Sequence, residues 1–154
     1  MPTGSCLCHH LRYEYEGDPL VKAREASTPS HSVHTDVIIL QATCFCLSCR
    51  KISGGTNSVN LLYPENKVHV IAGSARKYSQ IHETGLKLEI TFCGECGCTI
   101  YKTHESFPGK TIILAGTLDN LDGLEESTPE KELFVKHRVS WLSSLDDAEQ
   151  KLEF

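Results

Sequence analysis

Short runs of alternating apolar and polar residues make up much of the chain. The segment "LRYEY" places Leu11, Tyr13 and Tyr15 on one face of an extended strand, and "LKLEITF" repeats this spacing from Leu86 to Phe92. Four further runs rich in β-branched residues are "DVIILQATC", "SVNLLY", "KVHVIA" and "KTIILAG". Turn-forming residues separate these runs, so the pattern predicts a mainly β fold.

A single short helix is predicted near the C-terminal end of the sequence. Ser144 precedes "LDDAEQKL", and Asp147 follows three positions later, as in a capping box. Trp141, just before it, is predicted to pack in the core. The polar segment 24–36, "REASTPSHSVHTD", predicts a surface loop, with a lid over a site as the less common alternative. No repeat or long linker divides the 154 residues, so we expect one domain over 1–154.

Charge and hydropathy narrow the class of protein. The chain carries 15 Lys and Arg residues against 20 Asp and Glu, without a long basic run, which argues against nucleic acid as a partner. No stretch approaches the roughly 20 apolar residues of a membrane span, and "MPTGSCLCHH" lacks the apolar centre of a signal peptide. We therefore expect a cytoplasmic protein that does not bind membranes.

Eight cysteines are the most informative residues in the sequence. In a reducing compartment, clustered thiols are more often metal ligands than disulfides. They form three groups: Cys6 and Cys8 as C-x-C; Cys44, Cys46 and Cys49 as C-x-C-x-x-C; and Cys93 and Cys96 as C-x-x-C, with Cys98 two residues further on.

The spacing of these groups suits two zinc sites of different kinds. Two short chelating pairs supply four thiolates, which is enough for one closed tetrahedral site. The middle group then offers three thiolates and an open fourth position, the form of a catalytic zinc, unless Cys98 or a histidine closes it into a second structural site. Cys98 itself lies in the strand-like "CTIY", which favours a buried core thiol.

Five motifs in this order resemble the glutathione-dependent formaldehyde-activating enzyme family, which also includes centromere protein V. They are "GSCLCHHLRYEY", "CFCLSCRKISGG", "TFCGECGCTIY", "AGTLDN" and a late "VSW". The resemblance implies a β-tent of antiparallel sheets held together by two zinc ions. It implies a structural zinc ligated by Cys6, Cys8, Cys93 and Cys96 and a catalytic zinc ligated by Cys44, Cys46 and Cys49. The chemistry it implies is the making or breaking of carbon–sulfur bonds in thiol adducts such as S-hydroxymethylglutathione.

Two positions depart from the family pattern beside the metal ligands. Phe45 stands where histidine is usual, and His9 and His10 follow Cys8 where a small residue is usual. The zinc ligands are unaffected. Phe45 predicts a more apolar wall at the catalytic site, which would suit a bulkier thioether than the formaldehyde adduct.

The function predicted is therefore that of a zinc-dependent carbon–sulfur lyase acting on an S-conjugate of glutathione or a related small thiol. Zinc that binds the substrate sulfur would stabilise the thiolate that leaves. Arg50 and Lys51 are candidates to bind a substrate carboxylate, although a solvated turn or a bond to a thiolate is an equal alternative. His9, His10 and His137 are candidate proton donors.

Two other classes of function remain open. A non-catalytic module stapled by zinc could bind a protein partner, but a chromatin or microtubule binder should carry a basic extension, and this sequence has none. A thiol redox sensor is disfavoured because zinc-bound thiolates are masked from oxidants while the metal is in place.

Overall fold

The computed structural model describes residues 1–16, 40–126 and 128–154. Eleven strands lie in these ranges: β1 (Thr3–Ser5), β2 (Arg12–Tyr15), β3 (Leu40–Cys44), β4 (Ser58–Pro64), β5 (Val68–Ala72), β6 (Ala75–Ile81), β7 (Lys87–Cys93), β8 (Thr99–His104), β9 (Lys110–Leu114), β10 (Lys131–Leu133) and β11 (Glu149–Gln150). Two short helices accompany them, α1 (Leu47–Ser53) and α2 (Leu121–Glu126). The predicted mainly β fold is confirmed, and each of the six predicted runs contains a strand.

The strands form two sheets. The larger has the order β11-β10-β3-β4-β9-β8-β7-β6, and the smaller has the order β1-β2-β5. Neighbouring strands are antiparallel except at one end of the large sheet, where β10 runs parallel to both β3 and β11. An isolated bridge between Gly4 and Leu118 connects β1 to the segment after β9.

One hydrophobic core lies around the small sheet. Leu11, Tyr13 and Tyr15 are fully buried, as the alternation in "LRYEY" predicts. The Tyr13 ring packs so closely on β1 that a Cβ atom at Gly4 would lie 2.2 Å from it, so only glycine fits there. The other buried members of this core include two thiols and residues of β4, β8 and β9: Cys6, Leu61, Tyr63, Cys93, Ile100 and Ile113.

A second core lies where β3 and β10 meet α1. Its buried members are Ala42, Cys44, Phe45, Cys46, Cys49, Leu133 and Phe134. The three thiols of the middle cysteine group are thus part of a hydrophobic cluster, whereas the other two groups meet at the edge of the first core. The two predicted metal sites therefore lie at different cores.

The predicted C-terminal helix is wrong. Where the sequence suggested a helix beginning at Ser144, the chain makes a turn, with Asp147 in the left-handed region at φ 64°, and then adds β11 to the sheet. Glu132 explains this path, because its buried carboxylate accepts hydrogen bonds from the Leu145 amide and the Gln150 side chain. Satisfying a buried carboxylate outweighs the weak helix signal of a polar segment.

Three smaller outcomes complete the comparison with the sequence. Trp141 is 74% exposed, so its predicted core position is wrong. The burial of β7 departs from the predicted alternation, because Leu88, Thr91 and Cys93 are buried while Ile90 and Phe92 are half-buried. The predicted loop over 24–36 lies outside the described residues. None of the helices in the described part of the chain is long and apolar enough to span a membrane.

Candidate metal centres and the adjoining cavity

The first cysteine cluster brings together two pairs of residues that lie far apart in the sequence. The sulfur atoms of Cys6, Cys8, Cys93 and Cys96 all lie within 4.8 Å of one another. Cys8 Sγ is 3.5 Å from Cys6 Sγ and 3.8 Å from Cys93 Sγ. Four sulfurs at about 2.3 Å from a central zinc ion would be about 3.8 Å apart, so this donor set fits a tetrahedral zinc site.

Two tight turns bring these four sulfurs together. After β1, His9 adopts a left-handed conformation at φ 59°, and its amide donates to the Cys6 carbonyl. After β7, the Gly97 amide donates to the Cys93 carbonyl, with Gly97 at φ 73°. Each turn also aims a backbone amide at a sulfur: the Leu11 amide donates to Cys6 Sγ over 3.2 Å, and the Glu95 amide donates to Cys93 Sγ over 3.4 Å. Such amides stabilise the thiolate form that binds metal.

The second cluster contains three thiols and is wholly buried. The sulfurs of Cys44, Cys46 and Cys49 lie within 4.8 Å of one another, and each residue is at most 3% exposed. Cys44 ends β3, and Cys46 occupies the N-cap position of α1, where its sulfur accepts the Cys49 amide over 3.3 Å. Ser or Asp usually fills this position. The C-x-C-x-x-C spacing thus follows from a strand that turns directly into a helix.

Lys102 places a buried positive charge against this cluster. It lies on β8, is 3% exposed, and its Nζ donates to Cys49 Sγ over 2.9 Å and to Ser58 Oγ over 3.4 Å. A lysine is almost never buried so completely without a partner, and the sulfur is the partner that carries charge. The sequence analysis did not identify this residue.

The pKa values around Lys102 reflect this pairing. Hydrogen bonds from the Cys44 and Cys46 thiols, together with the nearby ammonium group, lower the pKa of Cys49 well below its ordinary value. Burial alone would lower the pKa of Lys102, but the negative charges of the cysteines, that of Cys49 foremost, raise it instead. A thiolate facing an ammonium group is therefore the stable state of this pair before any metal binds.

A cavity adjoins the second cluster. Its interior offers about 40 Å³ to the centres of water-sized molecules, within an opening of about 500 Å³ that includes solvent space, and it is lined by sulfur, imidazole and apolar groups together with the ammonium of Lys102 and the amide of Asn60. The described residues that line it are Ala42, Cys44, Cys46, Cys49, Asn60, Leu62, His82, Leu88, Lys102, His104, Phe107, Ile112, Leu133 and Phe154. The three thiols thus border a narrow space that opens to solvent, which is what an open metal site requires.

Two buried histidines, His82 and His104, face this cavity with their rings 4.7 Å apart in an edge-to-face arrangement. Burial lowers the pKa of both and brings that of His104 to about 4, so both imidazoles are neutral near pH 7. His82 also lies near the cluster, since its ring nitrogen, Cys46 Sγ and a Glu83 oxygen are within 4.8 Å of one another. Among the described residues, no histidine has a ring nitrogen within 4.8 Å of all three thiols.

Sequence comparison assigns the family. The family profile described as "Glutathione-dependent formaldehyde-activating enzyme" matches residues 31–137, more than half of the chain. The chain belongs to this family. No curated protein matches it significantly in sequence. Its fold is similar to the crystal structure of a Rhodobacter sphaeroides protein, with 17% identity, a TM-score of 0.54, and coverage of 77% of this chain and 89% of that one. At that identity the likeness concerns the fold alone.

The family match includes the middle cluster and the pair Cys93 and Cys96, but it begins after Cys6 and Cys8. The geometry brings these two residues to the other pair, so the four-thiol set rests on the structure. Cys98 packs with the first core and is not among the residues that line the cavity. Among the residues described, it therefore does not complete the three-thiol cluster.

The other residues singled out in the sequence lie outside the cavity. Arg50 and Lys51 are exposed in the last turn of α1. His9 and His10 are exposed beside the first cluster, and His137 bonds to Glu83, whose other oxygen accepts the Leu47 amide at the start of α1. None of these residues lines the cavity, where His82 and His104 are the histidines present.

The prediction made for Phe45 is wrong in its structural detail. Phe45 is 1% exposed and lies under the Arg138 guanidinium, 5.8 Å from the ring centre, and it is not a lining residue. In an extended C-x-C segment the middle side chain points away from its two neighbours. The apolar wall of the cavity is formed instead by aromatic and aliphatic residues distant in sequence, among them Phe107 and Phe154.

Proposed function

We propose that this family member is a zinc-dependent carbon–sulfur lyase that cleaves or forms a carbon–sulfur bond in an S-conjugate of glutathione or a related small thiol. The observation that carries the proposal is the buried three-thiol cluster that borders a cavity and faces the buried ammonium group of Lys102. Family membership supports a glutathione-related, zinc-binding enzyme. The bond that is cleaved and the number of zinc ions are our proposal.

Two zinc ions per chain suit the two donor sets. Cys6, Cys8, Cys93 and Cys96 would hold one ion with four thiolates, a closed arrangement typical of structural sites. The remaining three ligands, Cys44, Cys46 and Cys49, would hold the catalytic ion. That ion would stabilise the thiolate that leaves with the bonding electron pair, while the carbon fragment would lose a proton, from its hydroxyl or from the carbon next to the bond, and leave as a carbonyl compound or an alkene.

Lys102 adjusts the charge of the second site. Three thiolates and one divalent ion carry a net charge of −1, and the ammonium group makes the sum zero. A substrate thiolate would then approach a neutral centre instead of a negatively charged one. In a water-poor cavity, removing this repulsion lowers the energy of the bound thiolate considerably. Lys102 also holds Cys49 as a thiolate, ready to ligate.

The walls of the cavity serve the same chemistry. Apolar side chains such as Leu88, Ile112 and Phe107 keep water from the reacting sulfur. The glutathione part of a conjugate is too polar for this lining and would extend through the mouth. Arg50 and Lys51, exposed on α1, are our candidates to bind its carboxylates. The reducing conditions of the cytoplasm would keep all eight cysteines from forming disulfides, and none of them forms a disulfide in the structure.

The proposal is tested by thiol release. Purified protein loaded with zinc is incubated with a panel of glutathione S-conjugates, and free thiol is followed with a colorimetric reagent. We expect release by the wild type and a loss of several orders of magnitude, mainly in kcat, in Cys46→Ala, because binding alone cannot replace the metal. Cys98→Ala, which removes a thiol outside both clusters, should retain activity.

Two results would contradict the lyase proposal. If no conjugate is cleaved by protein that carries two zinc ions, or if Cys46→Ala cleaves as fast as the wild type, the lyase proposal fails. A non-catalytic zinc-stapled module that binds a protein partner would then be the better description.

A further inference from the structure

His104 presents an unused hydrogen-bond donor to the cavity. Its Nδ1 lies 3.0 Å from the Ser106 amide nitrogen, which can only donate, so Nδ1 is the acceptor and carries no proton. The proton of the neutral ring is therefore on Nε2. His104 is only 4% exposed, and its Nε2 atom is buried and has no hydrogen-bond partner among the described residues.

The neighbouring histidine does not satisfy this donor. His82 Nδ1 accepts the Thr84 amide over 3.2 Å, so in the neutral ring its proton is also on Nε2. Two rings that both donate from Nε2 cannot bond to each other through these atoms. The other close neighbours of His104 are the rings of Phe107 and Phe154, at 6.3 and 5.0 Å between ring centres. Neither offers a lone pair.

A buried N–H group without an acceptor is costly, and native structures rarely retain one unless a bound molecule supplies the acceptor. His104 lines the same cavity as the three thiols, so the molecule that binds there can reach both. Apart from His82, Asn60 and Lys102, which already bonds to Cys49 and Ser58, the remaining lining is apolar and aromatic. The cavity therefore suits a fragment that is mostly hydrocarbon and has one acceptor oxygen.

We infer that His104 is a specificity-determining residue: its Nε2–H donates a hydrogen bond to a carbonyl or hydroxyl oxygen on the carbon fragment of the S-conjugate. This inference rests on the proposed function and narrows its substrate class. The preferred conjugates have a small apolar fragment that bears one oxygen, and conjugates with a purely hydrocarbon fragment bind more weakly. His82 lies beside this position and packs against His104 in the orientation described above.

The test uses two matched conjugates, S-acetonylglutathione and S-methallylglutathione, which differ only in a carbonyl oxygen replaced by a methylene group. Dissociation constants are measured by calorimetry on zinc-loaded protein. We expect the wild type to bind the acetonyl conjugate about tenfold more tightly, because the methallyl conjugate leaves the buried N–H unpaired. His104→Phe should abolish this preference through loss of acetonyl binding alone.

Three controls keep the result specific. His69→Phe, which changes an exposed histidine on β5, should retain the preference. His104→Gln, which keeps an N–H donor, should restore part of it. Equal zinc content in all variants shows that the metal sites are intact.

Equal binding of the two conjugates by the wild type, or a preference that persists in His104→Phe, would overturn the inference. The readout separates it from the lyase proposal. A preference that depends on His104, without thiol release, supports the binding role and contradicts the lyase proposal. Thiol release without any preference supports the lyase proposal and contradicts the binding role.

Discussion

The two cysteine clusters use the same ligand chemistry in different surroundings. The first has four thiols in two turns at the edge of a core, where Cys6 and Cys93 are buried, Cys8 is exposed and Cys96 is half-buried. The second has three thiols, all buried, next to a cavity and a buried lysine. A four-thiolate zinc site carries a charge of −2, which water at the surface can solvate, whereas the buried site requires a compensating cation within the protein.

This difference explains what each cluster is suited to do. With a zinc ion bound, the first would cross-link the turn after β1 to the turn after β7, and its four donors would leave no position for a substrate. The second is held by one strand and one short helix, offers three donors and borders the cavity. Among the described residues, burial of every thiol, a buried lysine and a three-thiol ligand set occur together at the second cluster and not at the first.

The largest predicted effect concerns the stability of the fold. Cys93→Ser removes a buried ligand of the closed cluster, and we expect the free energy of unfolding to fall by roughly 3–5 kcal/mol, because a structural metal contributes directly to folding. Thermal unfolding with zinc present measures this change. Cys98→Ser, in the same core but outside the ligand set, is the matched control. A wild-type melting temperature for Cys93→Ser would contradict the assignment.

An intermediate effect is expected at the charge partner of the open cluster. Lys102→Met keeps the length of the side chain but removes its charge, and we expect the second zinc to bind about 10- to 100-fold more weakly, as for other residues that support metal ligands. Zinc transfer to a chelator measures the affinity. Lys77→Met, an exposed lysine paired with Glu89, should behave as the wild type. Unchanged zinc affinity in Lys102→Met would show that its charge does not support the site.

The smallest effect is a pH dependence of stability from His104. Its pKa is lowered to about 4 in the folded protein, against about 6.5 in an unfolded chain. Between these values the unfolded state binds the extra proton, so His104 makes stability fall as the pH decreases from 6.5 towards 4. Urea unfolding at pH 7 and pH 5 should show that His104→Phe loses about 2 kcal/mol less than the wild type. Equal losses in both proteins would exclude this effect.

The sequence predicted the strands and the grouping of the cysteines well because both depend on short-range patterns. The alternation in "LRYEY" and the C-x-C and C-x-x-C spacings are local properties, and β2 and the two sulfur clusters follow from them. The C-terminal segment was misread for a long-range reason. Its path depends on the carboxylate of Glu132, which accepts a hydrogen bond from Gln150, 18 residues later in the sequence and on the paired strand β11.

The residues that complete the second site could have been found from one overlooked signal. In β8, Ile100, Lys102 and His104 alternate with exposed or half-buried neighbours and are all buried. Extending the strand pattern beyond "CTIY" would have placed a lysine and a histidine on the same face as a core isoleucine. No local pattern, however, brings β8 beside the Cys44 group, because β4 and β9 lie between β3 and β8 in the sheet.

The central claim is that one cluster is closed and the other is open, and cobalt substitution tests it most directly. Glutathione is titrated into the protein with cobalt in both sites while the sulfur-to-metal absorption bands are recorded. We expect these bands to change in the wild type, and the single cobalt retained by Cys46→Ala in the first cluster to show no response. A wild-type spectrum that does not change with glutathione would mean that both clusters are closed, and it would contradict this account.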